Sequence, residues 1–468
     1  QLLECMVRAE RLEWQEIRSF ERDPRGVNDS ISWGLLTLIQ RNFAPLAERA
    51  SAVLGRLEQV PRALEESRRC LGTPARIFTE LALSEMAGTR DFIAETVPAT
   101  FASLENEVLR SRIGEVCQTA VEAYQAHLKW LEEDLLPRST ASYALGAKLY
   151  RKKLLYAESV DTPLESLLEQ AWKELRRLQE RFRAVAADIE PGADPQELLT
   201  RISRDHPAAE GLLEAGRSTL RELREFCVSA DLLTLTDAPD PFVIETPGFA
   251  RDLAFAMMDT PGPFEEVARE AFYYITVPAE SWDAARTEEF LTLFSRPGLR
   301  VIGAHEVYPG HYAQLLRIRE TPSLIRRIAD SGAFVEGWAH YCEEMLMEVG
   351  YGADDPSVRL CQLHEALLRA CRFIAGISLH CLGMTVEEAT AFFQREGYQA
   401  APSAEMEAKR GTTDPHYLIY TLGKLQILEL REECKAAWGG GFTLRRFHDA
   451  LLSHGIMPIA LQRRAILG

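Results

Sequence analysis

Long apolar runs, paired cysteines and surplus positive charge are all missing from this sequence, and each absence closes off a class of function. No stretch of 18 or more apolar residues occurs in the 468 residues, so no bilayer-spanning helix is expected. The nine cysteines are odd in number and form no CxxC pair. They read as free thiols in a reducing compartment, not as a disulfide frame or a cysteine-held metal. A cytoplasmic location is therefore expected, although the chain begins at Gln1 and a removed signal peptide stays open. Lys and Arg number 53 against 70 Asp and Glu, a formal net charge of -17. A nucleic-acid binder needs a concentrated basic surface to displace phosphate counterions, so nucleic acid is excluded as a partner and the acidity is read as an aid to solubility.

What is there is a globular composition, 46% hydrophobic and 26% charged, enough to bury a large core. Residues 1–235 are rich in Leu, Ala, Glu and Arg, with apolar residues at helical spacing, as in Leu164-Leu167-Leu168-Ala171-Leu175-Leu178. They are expected to form an amino-terminal helical lobe whose charged runs, such as Glu174-Leu175-Arg176-Arg177, face solvent. Near residue 230 the composition shifts. Phe242 to Thr246 and Phe272 to Val277 are the two β-prone pieces. Helical character then resumes from Trp282 to Phe294, across 301–350, from Val358 to Leu382 and from Thr385 to Arg395. The second lobe is placed at 236–468, and the fold class is mostly α: a multi-helical protein with a long cleft and a few short strands.

The chemistry is concentrated in His305-Glu306-Val307-Tyr308-Pro309-Gly310-His311. Metal-assisted hydrolysis needs three protein ligands, an open position for water, and a carboxylate to take that water's proton. His305 and Glu306 supply a ligand and a base; helical neighbours point about 100° apart, so both can face one cavity. The usual second histidine stands four residues on, on the same face. Here it stands six residues on, which in an unbroken helix places it about 240° round. Pro309 cannot donate to the carbonyl of His305 and Gly310 tolerates unusual dihedrals, so the helix must deform between the two histidines.

A second segment, Phe334 to Glu344, carries Glu336, His340 and Glu343 at i, i+4 and i+7 on one face. Phe334, Trp338, Ala339, Tyr341 and Met345 surround them, and buried carboxylates must be paired or metal-bound. Glu336 is taken as the third ligand, with His340 and Glu343 in the core or bracing a ligand histidine. In a third segment Tyr420, Lys424 and Arg431 fall on one stripe of an apolar helix. That stripe could offer a phenol to an oxyanion and cations to a substrate carboxylate, or it could be packing with snorkelled charges. The β-prone piece from Tyr273 to Val277, with Tyr274 as a contact residue, is read as pairing with an extended peptide by strand addition.

These segments, in this order, resemble the bacterial family catalogued as domain of unknown function 885, whose members look like gluzincin zinc peptidases. The resemblance rests on Ile302 to Gln314, on Glu336-Gly337-Trp338-Ala339-His340-Tyr341, and on Arg410-Gly411-Thr412-Thr413-Asp414-Pro415 running into Tyr420-Thr421-Leu422-Gly423-Lys424. It implies a zincin-like fold with its few short strands near the active site, His305, His311 and Glu336 as ligands of a Zn2+ ion, and Glu306 as base. His340 departs from it, since an aliphatic residue is expected after Trp-Ala. The expected activity is zinc-dependent hydrolysis of peptide bonds in short peptides. An amidase acting on a specialised small amide, and a non-catalytic helical binding protein with a degenerate site, are the rival readings; a homo-oligomer is left open.

Overall fold

A computed structural model describes residues 1–251 and 255–468. Helices dominate, and their amphipathic faces explain why. In α1 (Leu164–Ile189) the residues Leu167, Ala171, Leu175, Leu178, Phe182 and Ala186 form one buried stripe at helical spacing. That stripe packs against Leu363, Leu367, Phe373 and Ile377 of a helix from Pro356 to Ile377. Each large side chain so buried contributes about 1.5–3 kcal/mol. The charged run from Glu174 to Arg177, expected to face solvent, is not wholly solvated, because Glu174 lies on the buried stripe itself. Glu174 is buried and paired with Arg177 at 2.7 Å and with Lys424 at 2.9 Å.

The cores do not divide at residue 235. One core gathers Leu35, Val53, Met86, Phe92, Ile113, Tyr124 and Leu135, and takes in Phe249 and Ala250 from beyond the proposed boundary. A second combines α1 with the Pro356–Ile377 helix. A third joins α2 (Leu212–Ser229) to a small sheet and to the helices that carry the candidate site. The composition change near residue 230 marks the sheet and its loops.

The sheet holds β1 (Phe242–Glu245), β2 (Ala256–Asp259) and β3 (Phe272–Ile275) in the order β1-β3-β2. β3 pairs parallel with β1 and antiparallel with β2. Two strands match the β-prone pieces. The third, Ala256-Met257-Met258-Asp259, has no β-branched residue and is a strand because β3 offers it a ladder. Strand addition to β3 is ruled out by this order: both of its edges are already paired, and the free edges belong to β1 and β2.

Helical character across 301–350 is carried by four helices, the first of which begins before it. α3 (Arg296–Glu306) is capped by Ser295, whose Oγ accepts from the Gly298 amide at 3.1 Å. α4 (His311–Arg319) follows the Pro-Gly turn, a single short turn of helix spans Leu324–Ile328, and α5 (Gly332–Glu348) is capped by Ser331. Further on lie α6 (Pro356–Ile377), α7 (Ala401–Thr413) and α8 (Ile419–Trp438). Among the described residues no helix is long and apolar enough to cross a membrane.

Candidate metal centre

The break between the two histidines is built as the sequence required. α3 stops at Glu306, the Tyr308–Pro309 peptide is cis, and α4 begins at His311. Gly310 lies against the last turn of α3, where a Cβ would overlap the His305 carbonyl oxygen and stand 2.5 Å from that of Ala304, so no larger residue fits. The turn is pinned from several sides. Trp338 Nε1 donates to the carbonyls of Pro309 and Gly310 at 3.0 and 3.3 Å, Tyr308 donates to Asp240 at 2.7 Å, and Tyr312 donates to the Pro239 carbonyl.

As a result the two imidazoles meet edge to face, with ring centroids 4.8 Å apart and planes at 89°. Nε2 of each stands 3.5 Å from Glu336 Oε2. One candidate ligand atom from each of His305, His311 and Glu336 lies within 4.8 Å of the others. Glu336 reaches them because α5 and α8 cross at Gly337 and Gly423. A Cβ on Gly337 would stand 2.5 Å from the Gly423 backbone, and one on Gly423 would overlap the Ala333 carbonyl. The same crossing brings Tyr420 alongside.

Behind the ligand set, Glu343 is fully buried. Its Oε1 lies 2.7 Å from His305 Nδ1 and 3.3 Å from Arg369 Nη2, and its Oε2 lies 3.3 Å from His340 Nδ1. A carboxylate can only accept, so the neutral tautomer of His305 carries its proton on Nδ1 and leaves Nε2, the atom that faces Glu336, to bind a cation. Burial works to raise the Glu343 pKa, but Arg369 and His340 hold it well below the usual carboxylate range.

The donor set fits a divalent cation such as zinc. Glu336 Oε2 is shut off from solvent and makes no hydrogen bond, although it faces two imidazole nitrogens; a buried carboxylate oxygen so placed calls for a cation. Burial pushes the Glu336 pKa up, yet the facing imidazoles of His305 and His311 bring it well below its ordinary value. Burial and Arg369 act to lower the pKa of His305, and the Glu336 and Glu343 carboxylates overcome both and raise it to about 9. Two imidazoles and one carboxylate, with coordination positions to spare, are the donor chemistry of a catalytic zinc.

Glu306 follows the first histidine directly, and burial pushes its carboxyl pKa up, against the pull of His305 and His311. Tyr420 is buried; Arg410 Nη2 donates to its oxygen at 2.9 Å, and the Arg372 and Arg369 guanidiniums lie 5.0 and 6.0 Å from its ring centre. Burial, with Glu336 adding, raises the phenol pKa to about 12.

The remaining expected residues fall elsewhere. Lys424 is fully buried between Glu174 at 2.9 Å and Glu344 at 3.1 Å, and Arg431 pairs with Glu348 at 2.7 Å. Both are structural ion pairs. Their helical stripe points them at acids on α1 and α5, so neither cation is left for a substrate. Tyr274 stacks on Phe272 at 6.1 Å, and its surrounding charges are Asp259 and Arg41. Strand alternation puts its neighbour Tyr273 on the other face, where Glu306 raises the Tyr273 pKa together with burial. His340 is fully buried and bound to Glu343, not to the ligand triad. Two arginines that sequence reasoning did not assign, Arg369 and Arg410, complete the surroundings; each comes from a helix whose local pattern reports only amphipathicity.

A lipoprotein candidate of unknown function from Shewanella oneidensis superposes with a TM-score of 0.79 at 27% identity, covering 100% of this chain and 86% of that one. A candidate lipoprotein from Colwellia psychrerythraea shares the fold, with a TM-score of 0.76 at 21% identity over 90% of this chain and 76% of that one. No curated protein matches. The sequence pattern of one family runs through residues 4–466, and the chain accordingly belongs to the bacterial proteins of unknown function grouped as DUF885.

Proposed function

We propose that this protein is a zinc-dependent hydrolase that cleaves peptide bonds in short peptides. The observation that carries the reading is the solvent-free Glu336 Oε2 set 3.5 Å from both His305 Nε2 and His311 Nε2, with Glu306 next in the chain. Zinc held by these three residues would supply a Lewis acid and lower the pKa of water to about 7.

The chain's own residues would do the rest. Glu306, whose carboxyl pKa burial raises above its ordinary value against the pull of His305 and His311, takes a proton from the attacking water. The remaining hydroxide adds to the amide carbon, the C–N bond breaks, and Glu306 returns the proton to the leaving nitrogen, giving a carboxylic acid and an amine. Tyr420 accepts a hydrogen bond from Arg410. A guanidinium has no acceptor, so the phenol's own proton is free to donate to the oxygen on which charge develops. Glu343 holds the His305 ring in the tautomer that presents Nε2.

The test uses the zinc-loaded full chain against a randomised tripeptide mixture read by mass spectrometry. Glu306→Gln should keep its zinc and lose about 100- to 10,000-fold in hydrolysis. Unchanged hydrolysis in that variant would remove Glu306 as the base and with it this mechanism.

A further inference from the structure

Three guanidiniums surround the Tyr420 ring, and two of them are neutralised. Arg369 pairs with Glu343 at 3.3 Å and Glu365 at 2.7 Å. Arg372 forms a two-point pair with Glu407 at 2.6 and 2.7 Å. Arg410, on α7, is different. Among the described residues no carboxylate lies within 4.0 Å of it, and its one side-chain hydrogen bond runs from Nη2 to the Tyr420 oxygen at 2.9 Å. A guanidinium stays charged and carries five N–H donors in a fork that matches a carboxylate. Holding one largely out of water with no carboxylate in contact is costly, and Glu407 and Asp414 act on it only at a distance. Here it is kept one phenol away from the candidate centre, with its remaining donors uncommitted.

Resting on the hydrolase reading above, we propose that Arg410 is the subsite for a carboxylate of the substrate, so that the protein selects anionic short peptides. The role that Lys424 and Arg431 cannot fill thereby falls to Arg410. The chemistry also sets the reach. In a peptide cut at its last bond, the terminal carboxylate carbon is two bonds from the scissile nitrogen, about 2.5 Å away. Tyr420, bonded to Arg410 on one side and free to donate on the other, spans between an anion on Arg410 and the carbonyl under attack. A substrate Asp or Glu side chain near the scissile bond carries the same group, and the two sources are separable by experiment.

The experiment compares the wild-type chain with Arg410→Met and Arg410→Lys, all zinc-loaded. Randomised tripeptides are offered as free acids and as C-terminal amides, with and without Asp and Glu. The same mixtures are titrated calorimetrically into Glu306→Gln and into Glu306→Gln/Arg410→Met, neither of which needs to turn over. Arg410→Met also removes the hydrogen bond that holds Tyr420, so kcat should fall for every peptide, while KM should rise by about 10- to 100-fold for carboxylate-bearing peptides alone and be partly rescued in Arg410→Lys. A preference that vanishes on C-terminal amidation identifies the terminal carboxylate; one that survives amidation and follows Asp or Glu identifies the side chain. An equal rise in KM for anionic and neutral peptides, or binding to Glu306→Gln that ignores the carboxylate, would overturn the proposal. Should the wild type cleave no peptide, the hydrolase reading fails on its own. Carboxylate-selective binding to Glu306→Gln that is lost with Arg410 would then still establish the subsite.

Discussion

Glu343→Ala probes how the protein prepares a metal ligand. The carboxylate is fully buried and faces three groups, His305 Nδ1 at 2.7 Å, Arg369 Nη2 at 3.3 Å and His340 Nδ1 at 3.3 Å. Removing one partner of a buried ion pair costs about 3–5 kcal/mol because the other charge is left uncompensated. Arg369 keeps Glu365 at 2.7 Å, which places the expected loss near the lower end, about 3 kcal/mol, read by urea unfolding of the metal-free chain. The second consequence is more specific. Without an acceptor for its Nδ1 proton, the His305 imidazole is free to switch tautomer and rotate, and losing such an outer partner typically weakens metal binding about 10- to 100-fold. Chelator competition measures this directly. Glu343→Gln retains one carbonyl acceptor and should fall between alanine and wild type in both assays. A Glu343→Ala protein that is destabilised yet binds zinc as tightly as wild type would refute the argument, since Glu343 would then be packing alone.

Other expectations concern the frame that presents the site. Gly423→Ala puts a Cβ into the Ala333 carbonyl at the α5–α8 crossing and should lower stability by about 3 kcal/mol or more; an unchanged thermal midpoint would show that the helices can separate freely. Burial works to raise the pKa of Glu407, and Arg372 overcomes it, giving about 2 against an ordinary 4.5. A lowered carboxylate pKa stabilises the fold above the ordinary value, and that stability is lost as pH falls towards the folded value. The wild type should therefore lose roughly 3 kcal/mol relative to Glu407→Gln between pH 5 and pH 2, and denaturant titrations with parallel pH profiles would contradict the pairing.

How much of this was readable beforehand depended on whether a residue's partner was local. Pro309 lacks an amide proton and Gly310 a Cβ, so the deformation that brings His311 to His305 follows from the segment alone. Glu336 was legible because Trp338 and its apolar neighbours marked a buried helix carrying acids. Lys424 and Arg431 were misplaced for the opposite reason. Helical periodicity fixes which face they share, while their fate was decided by Glu174, 250 residues away in sequence, and by Glu348. All four residues of β3 are buried, so alternation offers no polar face to tell the Tyr273 side from the Tyr274 side. β2 has no β-branched residue and exists through its pairing. Arg369 and Arg410 sit on helices whose own sequences say nothing of the site they reach.

Zinc stoichiometry of the reconstituted full chain bears most directly on the central claim, measured together with His311→Ala and Glu336→Ala. The account predicts about one zinc per wild-type chain, held by three protein ligands, and loss of that zinc in both variants while the helical fold persists. A wild-type chain that takes up no zinc, or a His311→Ala chain that keeps it, would contradict the assignment of this turn as a metal centre.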